Sequence, residues 1–297
     1  MFKYKIYDLK IISNISLSDI EEYNFDSKED IKIIANQYNN AKEIVKDSFI
    51  IKNDIFELVI KDIGIFNIVE NNLNIYYFKE TRNEEISLYI LGTCIGYFLY
   101  KNNYLPLHGS SIYTDKGAVF FIGDSGYGKS TILNLFIKKN YKMISDDVIA
   151  LKKINNEIIV FPSFPRSKIW KDTANKLDIE VDNLKQIYKR LDKFSYPIPK
   201  NLFFNSTTKP YIIYELLHYD IDKVIIEEVK NKFEIVKRLY KNTYRLTLMN
   251  NLKKNKLQFD IITKISNFIK FKKIYRPKNY NCIDELVILI EKDFLSD

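Results

Sequence analysis

The segment Gly123-Asp124-Ser125-Gly126-Tyr127-Gly128-Lys129-Ser130 matches the pattern G-x-x-x-x-G-K-[ST] at every fixed position. The apolar run AVFFI precedes it, and the run STILNLFIKK, which we predict to be helical, begins at its last residue. A strand, a glycine-rich turn and a helix in this order form the setting in which the pattern binds phosphate. We therefore predict a phosphate-binding loop inside an α/β fold.

Each residue type in this loop suits contact with a nucleotide. Glycine lets successive backbone N–H groups converge on phosphate oxygens, and the start of a helix adds partial positive charge. We predict that Lys129 reaches the β- and γ-phosphates and that the Ser130 hydroxyl ligates Mg²⁺. The predicted nucleotide-binding residues are Gly123, Asp124, Ser125, Gly126, Tyr127, Gly128, Lys129, Ser130 and Thr131.

Two further polar elements flank the loop. Asp146 and Asp147 follow the short apolar strand KMIS, a few residues beyond the predicted helix. Adjacent carboxylates at a strand end can serve as a Mg²⁺ ligand and a general base, and on a regular strand their side chains leave on opposite faces. His108 lies ahead of the loop and opens a window that holds five of the eight glycines. We expect the aspartate pair and the loop to form one site, whereas a single histidine at a strand end is, taken alone, usually structural.

The order and spacing of His108-Gly109, the GDSGYGKS loop and Asp146-Asp147 resemble the nucleotide-binding core of the HPr kinase/phosphorylase family. These are bacterial Ser/Thr kinases related in fold to ATP-dependent phosphoenolpyruvate carboxykinase. The resemblance implies that Lys129 and Ser130 contact phosphate and metal. It implies that one aspartate accepts the proton while the other binds metal, a role given to Asp147, although the sequence does not decide between the two. His108 would help to hold the acidic pair and the phosphoryl group.

The chain departs from that family after the acidic pair. It has no counterpart of the family's LEIRGLG-like signature, and FPSFPRSKIW stands at 161–170 instead. This segment resembles the P-x-x-P-R-x-x-[LI]-W stretch of HPr kinase-like proteins from peptide natural-product clusters, some of which phosphorylate a serine near the end of a lasso-peptide precursor. The resemblance to this branch therefore implies a peptide kinase. The missing signature argues against phosphorylase activity, against a hexamer and against HPr as the acceptor. Arg166 is the candidate substrate contact, with a surface salt bridge as the alternative.

The leading functional hypothesis is a Mg²⁺- and ATP-dependent kinase that phosphorylates a Ser or Thr hydroxyl on a peptide or small protein. Two alternatives stay open, because a phosphate-binding loop does not reveal the acceptor. One is a nucleotide-dependent binding module without phosphotransfer, and the other is a kinase of a small hydroxyl compound such as serine. The sequence also leaves open GTP in place of ATP, and a homo-oligomer in place of a monomer.

Outside the loop, strands dominate the first hundred residues, and a helix follows from about Arg82 to Tyr100. We predict a β-rich N-terminal domain over 1–100 that ends in this core helix, and an HPr kinase-like nucleotide-binding catalytic domain over 101–297. Lys171 to Lys193 is predicted to be helical. The predicted fold class is α/β, a mixed sheet flanked by helices, of the HPr kinase and ATP-dependent phosphoenolpyruvate carboxykinase type.

The composition excludes several other classes of protein. Hydrophobic residues make up 46% and charged residues 28%, as in soluble globular proteins. The apolar run Ile86–Tyr100 is shorter than the ~20 residues of a membrane span, and no signal peptide is visible, so we expect a cytoplasmic protein without membrane association. The net charge of +8 is dispersed, which argues against nucleic acid. Cys94 and Cys282 lie far apart and predict neither a disulfide nor a zinc site.

Overall fold

The computed structural model of the protein describes residues 1–38, 46–52, 55–189, 191–277 and 283–296. In these ranges the chain forms a mixed α/β structure whose sheets are flanked by helices, which agrees with the predicted fold class. None of the helices in the described ranges is long and apolar enough to cross a membrane. Cys94 is buried and unoxidised, and Cys282 lies outside the described residues.

Seven strands form the first sheet. They are β1 Phe2–Ile6, β2 Leu9–Ser13, β3 Ile31–Tyr38, β4 Ser48–Lys52, β5 Ile55–Ile60, β6 Gly64–Val69 and β7 Asn72–Phe78. Their order in the sheet is β1-β2-β3-β7-β6-β5-β4. Most of them alternate buried and more exposed side chains, as expected of a sheet with one face on a core.

A largely buried helical segment follows this sheet. It consists of α1 Asn83–Tyr89, a π-helical turn Ile90–Cys94 and α2 Ile95–Lys101, where a helix is predicted from the sequence. Its apolar side chains share one core with the first sheet, and that core also contains Val148, Phe161 and Tyr244 from later in the chain. The division into two domains near residue 100 stays a prediction.

The remaining strands build a central sheet and a small sheet. They are β8 Tyr104–Thr114, β9 Gly117–Gly123, β10 Lys142–Ser145, β11 Val148–Ile154, β12 Glu157–Phe161, β13 Arg166–Trp170, β14 Lys185–Tyr188, β15 Leu191–Pro197, β16 Pro210–Tyr219, β17 Ile225–Glu228 and β18 Lys270–Pro277. The central sheet has the order β12-β11-β8-β9-β16-β18-β17, with β10 also paired to β8, and the small sheet has the order β13-β15-β14.

Helices cover both faces of the central sheet. They are α3 Lys129–Lys138, α4 Lys171–Lys176, α5 Lys232–Lys241, α6 Leu246–Asn251, α7 Asn255–Ser266 and α8 Ile283–Ser296. Helices α3 and α8 share one apolar core with the sheet, and α5 and α7 share the other. The helix predicted directly after the glycine-rich segment is therefore confirmed.

The helix predicted from Lys171 to Lys193 is wrong beyond Lys176. Two residues further on, Asp178 adopts a φ of 57°, a left-handed conformation that cannot continue the helix. The chain then forms β14 and β15, and β15 pairs with β13 along its length. Burial of Ile187 and packing of Phe194 on the α3 core favour the strands, because tertiary packing outweighs local helix propensity.

Three parallel strands direct the chain toward one edge of the central sheet. Strand β16 pairs in parallel with both β9 and β18. Gly123 ends β9, and His218 and Arg276 lie opposite each other near the ends of β16 and β18. Because ligands of open α/β sheets bind outside the carboxyl ends of the strands, this edge is where a site is expected.

Candidate active site

The glycine-rich loop, residues 123–130, joins β9 to α3. A Cβ on Gly123 would come within 2.7 Å of the Leu216 carbonyl oxygen, so β9 approaches β16 too closely for a side chain there. Gly128 caps α3 with a φ of 85°, which glycine adopts without strain. The first turn of α3 leaves backbone N–H groups without intrahelical partners. The loop therefore has the geometry of an anion site.

Lys129 is buried within this loop. Its ammonium donates hydrogen bonds to the carbonyl oxygens of Gly123 at 2.8 Å and Asp124 at 2.9 Å. Burial lowers the pKa of Lys129, and the nearby charges of Asp147 and Asp146 oppose that shift. The positive charge of Lys129 is therefore bonded to the loop and interacts electrostatically with the carboxylate pair.

The aspartate pair lies at a break between two strands. Strand β10 pairs with residues 111–113 of β8 and β11 pairs with residues 104–108, so the two strands follow one another along β8. Asp147, inside the break, has a φ of 71°. The opposite orientations expected of neighbours on a regular strand therefore do not apply, and the two carboxylates enter different surroundings because the backbone turns between them.

Asp146 is 5% exposed and accepts hydrogen bonds from uncharged groups of three elements. Its Oδ1 accepts from the hydroxyls of Ser130 and Ser110, each at 2.8 Å. Its Oδ2 accepts from the Ser167 hydroxyl at 2.8 Å and from the Lys168 backbone N–H at 2.9 Å. One carboxylate therefore joins β8, α3 and β13.

The Ser130 hydroxyl donates a hydrogen bond to Asp146 in the structure. The break between β10 and β11 directs the first carboxylate, not the second, toward the start of α3. The sequence predicts Ser130 and Asp147 as metal ligands while leaving the roles of the two aspartates open, and that assignment stays a prediction.

Asp147 has cationic surroundings. Its Oδ2 accepts a hydrogen bond from the Lys168 ammonium at 2.7 Å, and its Oδ1 lies 3.9 Å from Nδ1 of His108. Burial opposes ionisation, but the attraction of Lys168, and of His108 once it is protonated at acidic pH, outweighs it and holds the pKa of Asp147 well below its usual range. Asp147 is therefore a carboxylate throughout the neutral range.

His108 is brought to the acidic pair, as predicted. Its Nδ1 lies 3.1 Å from the Asp147 carbonyl oxygen; because a carbonyl only accepts, Nδ1 carries the proton in this contact. Burial and the charge of Lys129 lower the pKa of His108. The imidazole is therefore neutral at pH 7, with its acceptor lone pair on Nε2.

A cleft of about 280 Å³ opens over the start of the loop. Its walls include His108, the loop residues 123–125 and the segment 241–245. Within that segment, Lys241 pairs with Asp124 at 3.1 Å. Histidine and loop therefore face one space, which is large enough for a group of several atoms.

Other predicted residues face away from this space. The ring of Tyr127 stacks on His218 with centroids 4.3 Å apart, and the Thr131 hydroxyl lies 3.4 Å from that of Thr173 at the start of α4. Their backbone atoms belong to the loop, but their side chains pack against neighbouring elements. Ser125 lines the cleft.

Arg166 lies beneath Asp147 and not on an open surface. It is 4% exposed, and its Nη1 donates to the Ser18 carbonyl oxygen at 3.3 Å. With Tyr7, Asp147 and Lys168 it lines a cavity of about 10 Å³, the space of one water molecule. The candidate substrate contact thus reaches the acidic pair from inside the protein, because residues 162–165 and Tyr7 cover it.

Four basic residues of the site were not identified from the sequence. Lys168 contacts Asp147 directly, and Lys193 and Arg245 act on it electrostatically. Arg276 donates to the Tyr127 carbonyl oxygen at 2.8 Å, beneath the loop. No local motif marks them, since each comes from a separate strand or loop. For Arg276 alone the sequence offered a signal, since an arginine in the run IYRP stands at the end of an apolar strand pattern, where ligand-binding residues of α/β sheets lie.

Arg276 is a buried cation beside the loop. It is 7% exposed, and its Nη2 would lie 3.2 Å from a Cβ on Gly128. Burial lowers the pKa of Arg276, and within the described ranges no carboxylate forms an ion pair with it. A buried charge without a counter-charge is destabilising, so this position favours an anion held by the loop.

Comparisons with known proteins find the following. No protein-family model and no curated protein matches the chain. The structure is similar to that of the HPr(Ser) kinase/phosphatase from Coxiella burnetii, with 16% sequence identity and a TM-score of 0.36, over 64% of this chain and 91% of that chain. A TM-score this low does not assign a mechanism or a substrate to the chain.

Proposed function

We propose that this chain is a Mg²⁺- and ATP-dependent kinase that transfers the γ-phosphoryl group to a Ser or Thr hydroxyl of a peptide or small protein. The observation that carries the proposal is the junction of the loop with the acidic pair. Ser130, at the start of α3, is 2.8 Å from Asp146, and the next residue is a carboxylate with cationic neighbours. A phosphate site thus adjoins a group that can accept a proton.

The loop would bind the nucleotide phosphates. Its backbone N–H groups and the start of α3 supply hydrogen bonds and partial positive charge. Lys129 would exchange its hydrogen bonds to the Gly123 and Asp124 carbonyls for contacts with the β- and γ-phosphates. Arg276 adds positive charge from beneath the loop.

Ser130 and Asp146 would hold Mg²⁺. A hydroxyl and a carboxylate are the hard oxygen donors that Mg²⁺ prefers, and the ion commonly takes one or two protein ligands together with substrate phosphates. The described residues contain no cluster of three or more His, Cys, Asp or Glu side chains able to hold a metal by themselves, so phosphate oxygens would complete the set. When bound, Mg²⁺ neutralises charge on the phosphates.

Asp147 would orient the acceptor hydroxyl and take its proton. In the transfer, the acceptor oxygen forms a bond to the γ-phosphorus, the bond from that phosphorus to the bridging oxygen breaks, and ADP leaves with the electron pair. The low pKa of Asp147 keeps it ionised and ready to accept a hydrogen bond. The proton would move to it late in the transfer. Lys168 and neutral His108 would hold its position.

The proposal is tested by intact mass measurement on short peptides encoded beside the gene. Each peptide is coexpressed with wild-type protein or with Lys129→Ala. We expect one added phosphoryl mass with the wild-type protein alone, because Lys129→Ala removes the ammonium that is predicted to contact the nucleotide phosphates. Equal modification with both proteins would contradict the proposal. No modification, with binding of Mg²⁺ and ATP shown by thermal shift, would favour a small hydroxyl compound as acceptor or a non-catalytic module.

A further inference from the structure

One face of the small sheet carries a row of basic side chains next to the acidic pair. Strands β13 and β15 are antiparallel, with Trp170 opposite Lys193 and Lys168 opposite Ser195. Directly opposed residues of an antiparallel pair share a face, and residues two apart on a strand also share it. Arg166, Lys168, Trp170 and Lys193 therefore lie on one face, which we call the basic face.

Lys193 has no counter-charge of its own. Within the described ranges it forms no ion pair or hydrogen bond, and its ammonium lies 5.2 Å from the centroid of the Trp170 ring. Burial and the neighbouring Lys168 lower the pKa of Lys193, while Asp147 and Asp146 oppose the change. Trp170 is 46% exposed. The ammonium is thus partly shielded yet close to solvent, where a ligand can reach it.

The cations near Asp147 outnumber the carboxylates there. Lys168 occupies one oxygen of Asp147 at 2.7 Å, and Lys193 and Arg245 act on the same carboxylate. Arg166 interacts more strongly with Asp19, which pairs with Lys185, than with Asp147. Asp146 is already saturated by hydroxyl and amide donors. A negative group placed at the basic face would therefore meet uncompensated positive charge.

We infer that the basic face binds a carboxylate of the acceptor, next to the hydroxyl that Asp147 orients, with Lys193 as its direct contact and Trp170 as its apolar wall. This inference rests on the proposed function and names the acceptor class, an acidic peptide. Arg166 is too deeply buried to touch such a group and contributes its charge from below. Lys193 acts electrostatically on Lys129 as well as on Asp147, so the test below also measures whether Lys193 contributes to nucleotide binding.

The test uses pools of short synthetic peptides with a fixed central serine and radiolabelled ATP. One pool has Asp and Glu beside the serine, a second has Asn and Gln, and a third has Asn and Gln but ends in a free carboxylate close to the serine. A charge-assisted hydrogen bond is worth roughly 1.5 kcal/mol, or about tenfold. We expect ~10-fold more phosphate in the first pool than in the second. Phosphorylation of the third pool at the level of the first would show that the recognised carboxylate is the chain terminus and not a side chain.

Variants connect the preference to the basic face. Lys193→Met keeps most of the side-chain volume without the charge, and we expect it to reduce the preference for acidic peptides to about twofold or less. Lys209→Met is the matched control, since Lys209 is a lysine outside the small sheet that already pairs with Glu157 at 2.8 Å. An equal loss of ATP affinity in Lys193→Met would overturn the inference, because the lysine would then serve the nucleotide.

A second measurement does not depend on phosphotransfer. Trp170 is the single tryptophan of the chain, so its fluorescence reports on the basic face directly. With a non-hydrolysable ATP analogue present, we expect the acidic pool to change this emission and the amide pool to leave it unchanged, with no response in Lys193→Met.

The outcomes separate the inference from the proposed function. Equal labelling of acidic and amide pools supports a peptide kinase but overturns the acidic acceptor. A fluorescence response to the acidic pool alone, without labelling of any pool, supports the binding face and counts against phosphotransfer to peptides. If no pool is labelled and the fluorescence does not respond, both the inference and the proposed function are overturned.

Discussion

The two sides of the β10–β11 break carry the same acidic residue in contrasting surroundings. On one side, Asp146 is buried and accepts hydrogen bonds from hydroxyls and a backbone amide. On the other side, Asp147 meets the ammonium of Lys168 and the imidazole of His108. Uncharged donors fix a carboxylate in place, whereas cations balance its charge and depress its pKa. Adjacent residues of one type can therefore take different roles in one site.

Asp147→Asn tests the chemical side and should give the largest effect. The amide cannot take a proton, so we expect phosphotransfer to fall by ~10²–10⁴, with ATP affinity within about twofold of wild type. Initial rates with an identified acceptor and calorimetric titration of nucleotide measure the two quantities. Asp115→Asn, in the exposed turn between β8 and β9, is the control and should change neither. Full activity of Asp147→Asn would remove the distinction between the two aspartates.

Asp146→Asn tests the structural side. The amide nitrogen replaces one acceptor oxygen, so the backbone N–H of Asp147 or that of Lys168 loses its partner, depending on the orientation of the amide. We expect the free energy of unfolding to fall by about 2 kcal/mol, more than for Asp147→Asn. Urea unfolding followed by circular dichroism measures both variants. A lower free energy of unfolding for Asp147→Asn than for Asp146→Asn would contradict the structural role of Asp146.

Arg276→Met sharpens the description of the loop side. The guanidinium supplies charge beneath the phosphate site, so we expect the Kd for ADP to rise about tenfold and the binding of adenosine to stay unchanged. The matched control is Arg238→Met, which removes a guanidinium paired with Glu215 and Glu234. That variant should lose stability but keep its ADP affinity. Equal losses for ADP and adenosine would mean that Arg276 only supports the loop's conformation.

The pH dependence of stability gives the smallest expected effect. Because the pKa of Asp147 is lower in the folded protein, its ionised form stabilises the fold above the unfolded value of about 3.9 and loses that contribution as the pH falls below it. The difference in Tm between wild type and Asp147→Asn should be constant from neutral pH to about 5 and shrink below about 4. A difference that already shrinks near pH 6 would contradict the depressed pKa.

Local patterns predicted the parts of the fold that depend on nearby residues. The strand, loop and helix around Gly123–Ser130 form as expected, because their determinants are glycine conformations and apolar spacing within one short segment. The place of the aspartates beside the loop was expected from their position at a strand end, and that of His108 only from the family resemblance. The helix expected over 171–193 failed, because long-range pairing of β15 with β13 decides that segment.

The finer geometry of the site could not be predicted from the sequence. The break that separates Asp146 from Asp147 depends on how β10 and β11 align along β8, and no residue type in KMISDDV requires it. Lys168, Lys193 and Arg276 reach the site from different strands, so only tertiary structure brings them together. Arg166 was identified as a cation near the site, but its burial depends on packing against Tyr7 and Phe164.

The Asp146 carboxylate also connects the two halves of the site. It holds Ser130 on α3 and Ser167 on β13 through different oxygens, and β13 carries the lysine that meets Asp147. A ligand at the loop that displaces this carboxylate must act on β13 as well. Such coupling is reciprocal, so each ligand changes the affinity for the other by the same factor. Binding at the loop and binding beside β13 would then be thermodynamically linked. The affinity of either ligand would have to be measured both with and without the other.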